Sequence, residues 1–560
     1  MQVNRFKNTF SENIFKFKYA QGPTDTWDAL AERLVDDVCG TRGGKAHRIM
    51  SKEDIDQLTQ YIKEMKFIPG GRYLWYAGKK NSYFNNCFLL RAEHDTREEW
   101  ADLTQRAVSC LMTGGGIGID YSILRPSGKP LSRTGGLSSG PIPLMQMINE
   151  VGRGVMQGGS RRSAIYASLN WQHEDIPAFL TAKNWSSEIR ELKSKDFNFP
   201  APLDMTNISI NYDDNWLNLD YKISGVTPSE SNIISRANDP TFLANCKQAM
   251  MTGEPGFSFN FGDKQNETLR NACTEVTSED DSDVCNLGSI NISNIKSLEE
   301  FTAVVNLASK FLVCGTLRAD LPYNKVYKIR EKNRRLGLGL MGIHAWLLQR
   351  GYGYEVTPEL HQWLKVYKDE SERSANEHCE RLYISKPVAY RAIAPTGSIG
   401  ILAGTTTGIE PLFAVAYKRR YLTDGTKWKY EYVVDSTADQ LIKEYGLDPT
   451  KIETAYGLAN DYEKRIKFQA DIQDYVDMSI SSTINLPTWG SKDNNEGQIS
   501  TFAQVLSKYA PRLRGFTCYP DGSRGGQPLT EVPYHEAIKH SGIIYEENVD
   551  RACTSGVCGL

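Results

Sequence analysis

From Phe67 onward the chain alternates short apolar runs with glycine-rich turns and longer stretches of helical periodicity. That texture is what a parallel sheet demands, because each strand must return to the same edge through a crossover connection. NNCFLL and SRRSAIYASLNW read as strands, while EEWADLTQRAVSCLMT and the stretch around PLMQM read as helices. The residues before Phe67 differ. TDTWDALAERLVDDV carries apolar residues at helical spacing behind a Thr-x-Asp start, and SKEDIDQLTQYIKEM opens with a capping box at Ser51 and Glu53–Asp54. The fold class read from this pattern is α/β with a helical N-terminal region.

At 560 residues the chain is too long for one ordinary core, and fits either a large α/β barrel with attachments or several smaller domains. Basic and acidic residues number 65 and 68, a net charge of -3. That balance offers no broad cationic face for duplex DNA, though a local anion site stays compatible with it. No run approaches the roughly 20 apolar residues of a membrane helix, and the N-terminus lacks a secretory apolar core. The expectation is a soluble cytoplasmic protein (host cytoplasm if viral) without DNA or membrane binding.

Eleven cysteines form no disulfide framework, and the spacings of a structural zinc site are absent, so no metal ligands are expected. Cys39, Cys110, Cys246, Cys314 and Cys379 sit in apolar or helical surroundings and read as core thiols. Others need a different explanation. Asn271-Ala272-Cys273-Thr274-Glu275 spaces an amide, a thiol and a carboxylate two residues apart, which puts all three on one side of an extended segment or tight loop. Cys285 opens CNLGSINIS soon after, and Cys87 closes NNC before a probable strand start. Cys553 and Cys558 form C-x₄-C in a terminal stretch with too little apolar content to bury them. Two segments, 127–140 and 152–160, are dense in glycine and serine, as flexible connectors or backbone-donor cradles for anions are.

PGGRYLWYAG, NNCFLL, TGGGIGID, GGLSSGPIP, QGGSRR, NACTE, CNLGSIN, APTGSIG, GIEPLFA and the terminal CTSGVC occur in that order over most of the chain. In this ordered set the sequence resembles the catalytic subunit of ribonucleotide reductases, in a compact form without an N-terminal ATP cone. The resemblance implies a ten-stranded α/β barrel of two parallel five-stranded half-sheets around a central finger loop. It divides the chain into a helical region 1–66, a barrel 67–545 and a redox-active tail 546–560. It implies that Cys273 carries a thiyl radical that takes the 3′-hydrogen of the substrate ribose, with Glu275 as the proton acceptor and Asn271 holding the sugar hydroxyls. Cys87 and Cys285 would supply the electrons and end as a disulfide. Cys553 and Cys558 would reset that disulfide and pass the oxidation to thioredoxin or glutaredoxin.

The same resemblance places the substrate phosphates on Pro395, Thr396, Gly397, Ser398 and Ile399, and further substrate contacts at Asn86 and Gly116. A deoxynucleotide or ATP effector would bind at Asp95, Arg125 and Arg133 near a homodimer interface. The loop 157–161, with Arg161, would carry that signal to the substrate. Two radical sources stay open. Cys518-Tyr519, where some relatives have two adjacent tyrosines, and the runs PDGSR and NNCFLL favour adenosylcobalamin. The compactness of the chain tilts the other way, toward a ferritin-like metal-containing partner subunit reached through Tyr519 and Cys518. A glycyl-radical enzyme would need a glycine loop where this chain has its terminal dithiol, and a nucleotide sensor would not need the thiols. The expected reaction is reduction of ribonucleotides, taken as diphosphates, with a triphosphate substrate as the alternative.

Overall fold

A computed structural model describes residues 5–40, 49–155, 163–196, 199–221, 225–423, 427–523, 529–540 and 543–547. Arg161 with its loop 157–161, and the tail cysteines Cys553 and Cys558, lie outside the described residues.

Strands Cys87–Arg91, Gly116–Asp120, Ile165–Asn170, Thr206–Tyr212 and Gly256–Phe259 pair in parallel, in chain order. A second parallel set begins with Asp283–Asn291 and Leu336–Met341. It continues through a short segment in which Arg391 bridges Leu338 and Ile393 bridges Ile480. It ends with Thr483–Leu486 against Gly515–Pro520. Antiparallel seams join the two sets at both edges. Cys87 faces Cys285 at one seam, and Phe516 faces Phe257 at the other. Counting the bridged segment, ten strands close on themselves as two five-stranded half-sheets, the architecture the resemblance implies.

The strand sequences explain which way each face points, since successive side chains alternate sides. Phe88, Leu90, Ile117, Ile119, Ile165, Ala167, Leu169, Ile208 and Ile210 face outward into a core shared with the surrounding helices. Inward, Cys87, Leu89, Cys285 and Leu287 form a small separate cluster with Leu269, Val276 and Met478. The strand Asp283–Asn291 is buried along its whole length although its sequence, DVCNLGSIN, is largely small and polar. A fully buried parallel strand normally reads as continuous aliphatic residues.

The N-terminal helices begin at side-chain caps. Thr26 accepts from the Ala29 N–H to start Trp27–Cys39, and Ser51 accepts from the Asp54 N–H to start Lys52–Lys63. The Asp54 carboxylate pairs with Lys310 at 3.0 Å, so its side chain ties this helix to the barrel. The helix Leu298–Arg318, at 21 residues, is long and apolar enough to cross a membrane, closer to that limit than the sequence reading expected, but 67% of its apolar window is buried inside the protein. The five cysteines read as core thiols are buried. An added antiparallel sheet of Ala416–Thr423, Lys427–Val434, Leu529–Glu531 and Ile544–Glu547 lies outside the barrel pairing. Its last strand spans position 545, where the barrel was expected to give way to the tail.

Candidate active site

A two-stranded hairpin, Leu269–Arg270 against Thr277–Ser278, carries residues 271–276 at its tip. Thr274 takes a left-handed φ of 70° and its N–H donates to the Asn271 carbonyl at 2.9 Å, so the tip is a tight turn. The turn separates the three candidate side chains by exposure. Asn271 and Glu275 are each 1% exposed, whereas Cys273 is exposed at the tip. Asn207 donates to the Ala272 carbonyl at 3.1 Å from the first half-sheet, and the Ser479 N–H donates to the Glu275 carbonyl at 2.9 Å from the second. The loop is therefore held from both sides of the lumen.

Room for it comes from glycine. A Cβ on Gly118 would stand 1.5 Å from the Arg270 carbonyl oxygen, so only the absence of a side chain lets the stalk lie against this strand. Gly116, the substrate-contact candidate, is less crowded: its Cβ would meet the Ala164 carbonyl at 3.2 Å and the Ala272 methyl at 3.6 Å. Gly118 was missed by the sequence reading, although GIGID places two glycines on one strand face.

The stalk is anchored by buried charge. Arg270 donates to the Glu267 carbonyl, to Asn260 at 2.7 Å and to the Arg514 carbonyl at 3.0 Å. Glu267 accepts from Thr277 across the hairpin at 2.7 Å and pairs with Arg514 at 2.9 Å, which holds its carboxyl down at about 2 despite burial. Arg335 pairs with Asp283 at 2.9 Å, and Asp283 also accepts from Ser278 at 2.6 Å. These partners precede or begin barrel strands, so the network locks the hairpin to the barrel wall.

Above this base lie the paired thiols. Cys87 and Cys285 are directly opposed residues of antiparallel strands. Such residues have Cα atoms about 4.5–5.5 Å apart, inside the range a disulfide spans. Burial pushes both thiols well up, and the Glu275 carboxylate adds to the rise at Cys87. Asn271 donates through Nδ2 to the Cys87 sulfur at 3.0 Å while its Oδ1 accepts from the Val276 N–H at 2.9 Å. Burial lifts the Glu275 carboxyl to about 7, against the opposing hydrogen bond from Asn271. Its Oε2 is buried with no hydrogen-bond partner among the described residues.

The Asn86 carbonyl accepts from the Gly116 N–H at 2.8 Å, and its side-chain oxygen is buried without a partner among the described residues. The first half-sheet begins at this end of the barrel, and the second, running the opposite way, finishes there. Residues 395–399 follow the bridged segment at Ile393 and so reach the same rim. Thr396 adopts a left-handed φ of 53° and caps the helix Gly397–Ala403, with its hydroxyl accepting from the Gly408 N–H at 2.8 Å. Pro395, Thr396, Gly397, Ser398 and Ile399 are thus brought to the end that also holds Asn86, Cys87 and Gly116.

The remaining candidates fall elsewhere. Arg125 pairs with Asp95 at 2.5 Å, and Arg133 is exposed within electrostatic range of Glu98 at the start of helix Arg97–Met112. Asp95 and Arg125 follow the far ends of their strands, away from the phosphate-loop rim. Cys518 and Tyr519 leave opposite faces of strand Gly515–Pro520. Cys518 packs in the outer core, its sulfur donating to the Ala249 carbonyl at 3.4 Å, and burial pushes its thiol up to about 12. The structure does not bring these two side chains together toward Cys273.

The ribonucleotide reductase barrel domain family matches residues 85–205, 245–362 and 388–512. The vitamin B12-dependent ribonucleoside-diphosphate reductase of Mycobacterium tuberculosis is 27% identical over 534 residues, covering 86% of this chain and 74% of that protein. A putative adenosylcobalamin-dependent ribonucleoside-triphosphate reductase of Mycobacterium phage D29 is 23% identical, covering 96% of each chain. The solved structure of a B12-dependent, class II ribonucleotide reductase superposes with a TM-score of 0.69 at 15% identity, covering 94% of this chain and 93% of that one.

Two measurements test the geometry. Gly118→Ala must push the stalk off the strand, so Cys87, buried in the parent, should become readily alkylated by iodoacetamide, as peptide mapping would show. Unchanged protection of Cys87 would mean that the close approach at Gly118 does not hold the loop. The raised carboxyl of Glu275 means that the folded state binds its proton more tightly than the unfolded chain. Its contribution to stability is full below the ordinary value of 4.5 and is lost as pH rises through about 7. Glu275→Gln should therefore gain stability over the parent between these values, by on the order of 3 kcal/mol at the top of the range. Urea unfolding at several pH values checks this, and a pH-independent difference would contradict the buried setting.

Proposed function

The chain belongs to the ribonucleotide reductase family, and on that premise we propose that it reduces ribonucleoside diphosphates to 2′-deoxyribonucleotides with the residues gathered at the finger loop. The observation that carries this reading is the register that sets Cys87 opposite Cys285 beneath Asn271 and Glu275. A two-electron reductant needs two sulfurs within bonding reach, and a packed core has no reason to bury a carboxyl with one oxygen unsatisfied above them.

In this mechanism a thiyl radical at Cys273 takes the 3′-hydrogen of the ribose. An S–H bond is close in strength to that C–H bond, so the transfer is nearly balanced and the hydrogen can be returned at the end. Glu275 receives the 3′-hydroxyl proton; a carboxyl at about 7 is suited to accept and release a proton near neutrality. Asn271 exchanges its bond to the Cys87 sulfur for the sugar hydroxyls. The 2′-hydroxyl leaves as water, protonated from the thiol pair, whose raised values keep both sulfurs protonated until they are used. Cys87 and Cys285 give up their electrons and close as a disulfide. Thiol–disulfide exchange needs direct approach of sulfur to sulfur, a role for Cys553 and Cys558 with thioredoxin or glutaredoxin as the external donor.

The radical source that fits best is adenosylcobalamin. Relatives across most of the chain are named as dependent on it. The exposure of Cys273 at the tip of its loop supports this fit. A route from a separate metal subunit would need a relay, and Cys518 points into the outer core, away from the face of Tyr519. Bound adenosylcobalamin supplies a hydrogen-abstracting radical, and Cys273 is the residue of this chain placed to receive it. Asp95, Arg125 and Arg133 are the proposed contacts of a deoxynucleotide or ATP effector, with the homodimer as the expected assembly.

Cys273→Ser should abolish turnover while leaving nucleotide binding intact. The parent chain with adenosylcobalamin and a small dithiol should form deoxynucleotide without any second protein. Product that appears only with a metal-loaded subunit would reverse the assignment of the radical source. Cys553→Ser with Cys558→Ser should lose thioredoxin-driven turnover and retain turnover on dithiothreitol; normal rates on thioredoxin would end the shuttle role.

A further inference from the structure

The N-terminal helix Thr9–Lys18 lies along the short helix that follows the phosphate-loop candidate. Three side chains pin it there in order. Lys7 donates to the Gly404 carbonyl at 3.3 Å, Ser11 to the Ile401 carbonyl at 2.6 Å, and Lys18 to the Ser398 hydroxyl at 2.9 Å. The two helices therefore run in opposite directions, and the C-terminal end of the first meets the start of the second.

The helix is not a loose arm. Asn8 caps it by accepting from the Ser11 N–H at 2.8 Å. Phe15 is 2% exposed, stacked on Phe6 at 5.5 Å and edge-on to Trp27 at 6.2 Å, which joins the helix to the rest of the N-terminal region. Lys7 is spent on packing: burial lowers its ammonium, and its partners are the Gly404 carbonyl and the Asn294 side chain. Lys18 differs in being exposed, with its ammonium on a side-chain hydroxyl of the loop itself.

We propose that Lys18 is a substrate-binding residue that holds the terminal phosphate of the nucleotide at residues 395–399, so that the N-terminal helix forms part of the catalytic site. This rests on the reading of that loop as the phosphate site. The loop can offer backbone N–H groups and the hydroxyls of Thr396 and Ser398, none of which carries a full charge. A nucleoside diphosphate brings about three negative charges near neutral pH. The Ser398 hydroxyl both accepts from Lys18 and retains its own proton to donate, so ammonium and hydroxyl can bind one phosphate together. The contact is made equally to ground state and transition state, because it lies at the far end of the substrate from the sugar carbon that reacts. It should set affinity and leave the chemical step alone.

The test uses the full chain and equilibrium dialysis with cytidine diphosphate and, separately, cytidine. Lys18→Gln should weaken cytidine diphosphate binding about tenfold, from loss of one charge-assisted hydrogen bond, and leave cytidine binding unchanged. The difference should shrink as salt rises from about 0.05 to about 0.3 M. Lys18→Arg should restore most of the affinity. Lys16→Gln, which removes a neighbouring lysine paired with Glu12 on the same helix, should change nothing. In turnover, Lys18→Gln should raise KM with kcat held. Equal binding of cytidine diphosphate by parent and Lys18→Gln would overturn the proposal, as would an equal loss for cytidine, which marks a structural role. A parent chain that turns over ribonucleotides yet loses no affinity when the diphosphate is removed would sink the phosphate-loop reading and Lys18 with it.

Discussion

Everything in the lumen depends on one antiparallel seam. Within each half-sheet the strands are parallel, and neighbours in a parallel pair are offset by slanted hydrogen bonds. Where the half-sheets meet, Cys87 comes directly opposite Cys285, a placement that distant strands reach only through closure of the barrel. From that seam the strand Asp283–Asn291 runs on past the start of Cys87–Arg91, so the second half-sheet finishes on the side where the first begins. One rim therefore collects Asn86 and Gly116 from strand beginnings and residues 395–399 from a strand ending. The proposed chemistry, with a sugar at two sulfurs and its phosphates at a loop, would find both at one end.

The finger loop shows how a polar tip can be kept inside such a wall. Its stalk would be an isolated two-stranded ribbon, too small to stand alone in water. It is held by Arg270, whose buried guanidinium donates to the Glu267 and Arg514 carbonyls and to Asn260, and by the buried ion pairs Glu267–Arg514 and Arg335–Asp283. Buried ion pairs are a poor source of net stability. Their value here is positional: each fixes the stalk to a strand end, and together they leave Asn271 and Glu275 a single arrangement over the thiols. Gly118 complements them by removing the side chain that would hold the stalk away.

Much of this was legible in the sequence, and for identifiable reasons. Outward-facing Phe88, Leu90, Ile117 and Ile119 announce their strands by alternation. The candidate thiols stood out because they sit in polar, glycine-rich runs where packing does not call for cysteine, while Cys39, Cys110 and Cys246 blend into apolar helices. What could not be read was anything fixed by long-range closure. The Lys18–Ser398 bond joins residues 380 apart, and no local pattern points from one to the other. The opposite orientation of Cys518 and Tyr519 became visible once strand Gly515–Pro520 was placed against its helix. The added sheet did carry a local sign: Asp424-Gly425 between two aromatic-rich alternating runs is a hairpin signal.

The position of the thiol pair also ties the redox state of the protein to its mechanics. Cys87 and Cys285 sit on either side of the joint between the two half-sheets, so a bond between them staples the barrel shut across its own closure line. The loop so closed runs to about 200 residues, long enough for the cross-link to restrict the unfolded chain severely. Each catalytic cycle would then stiffen the wall when electrons are spent and relax it when they are replaced. The spent form becomes the harder one to pry open, at the moment when a reductant has to find its way in.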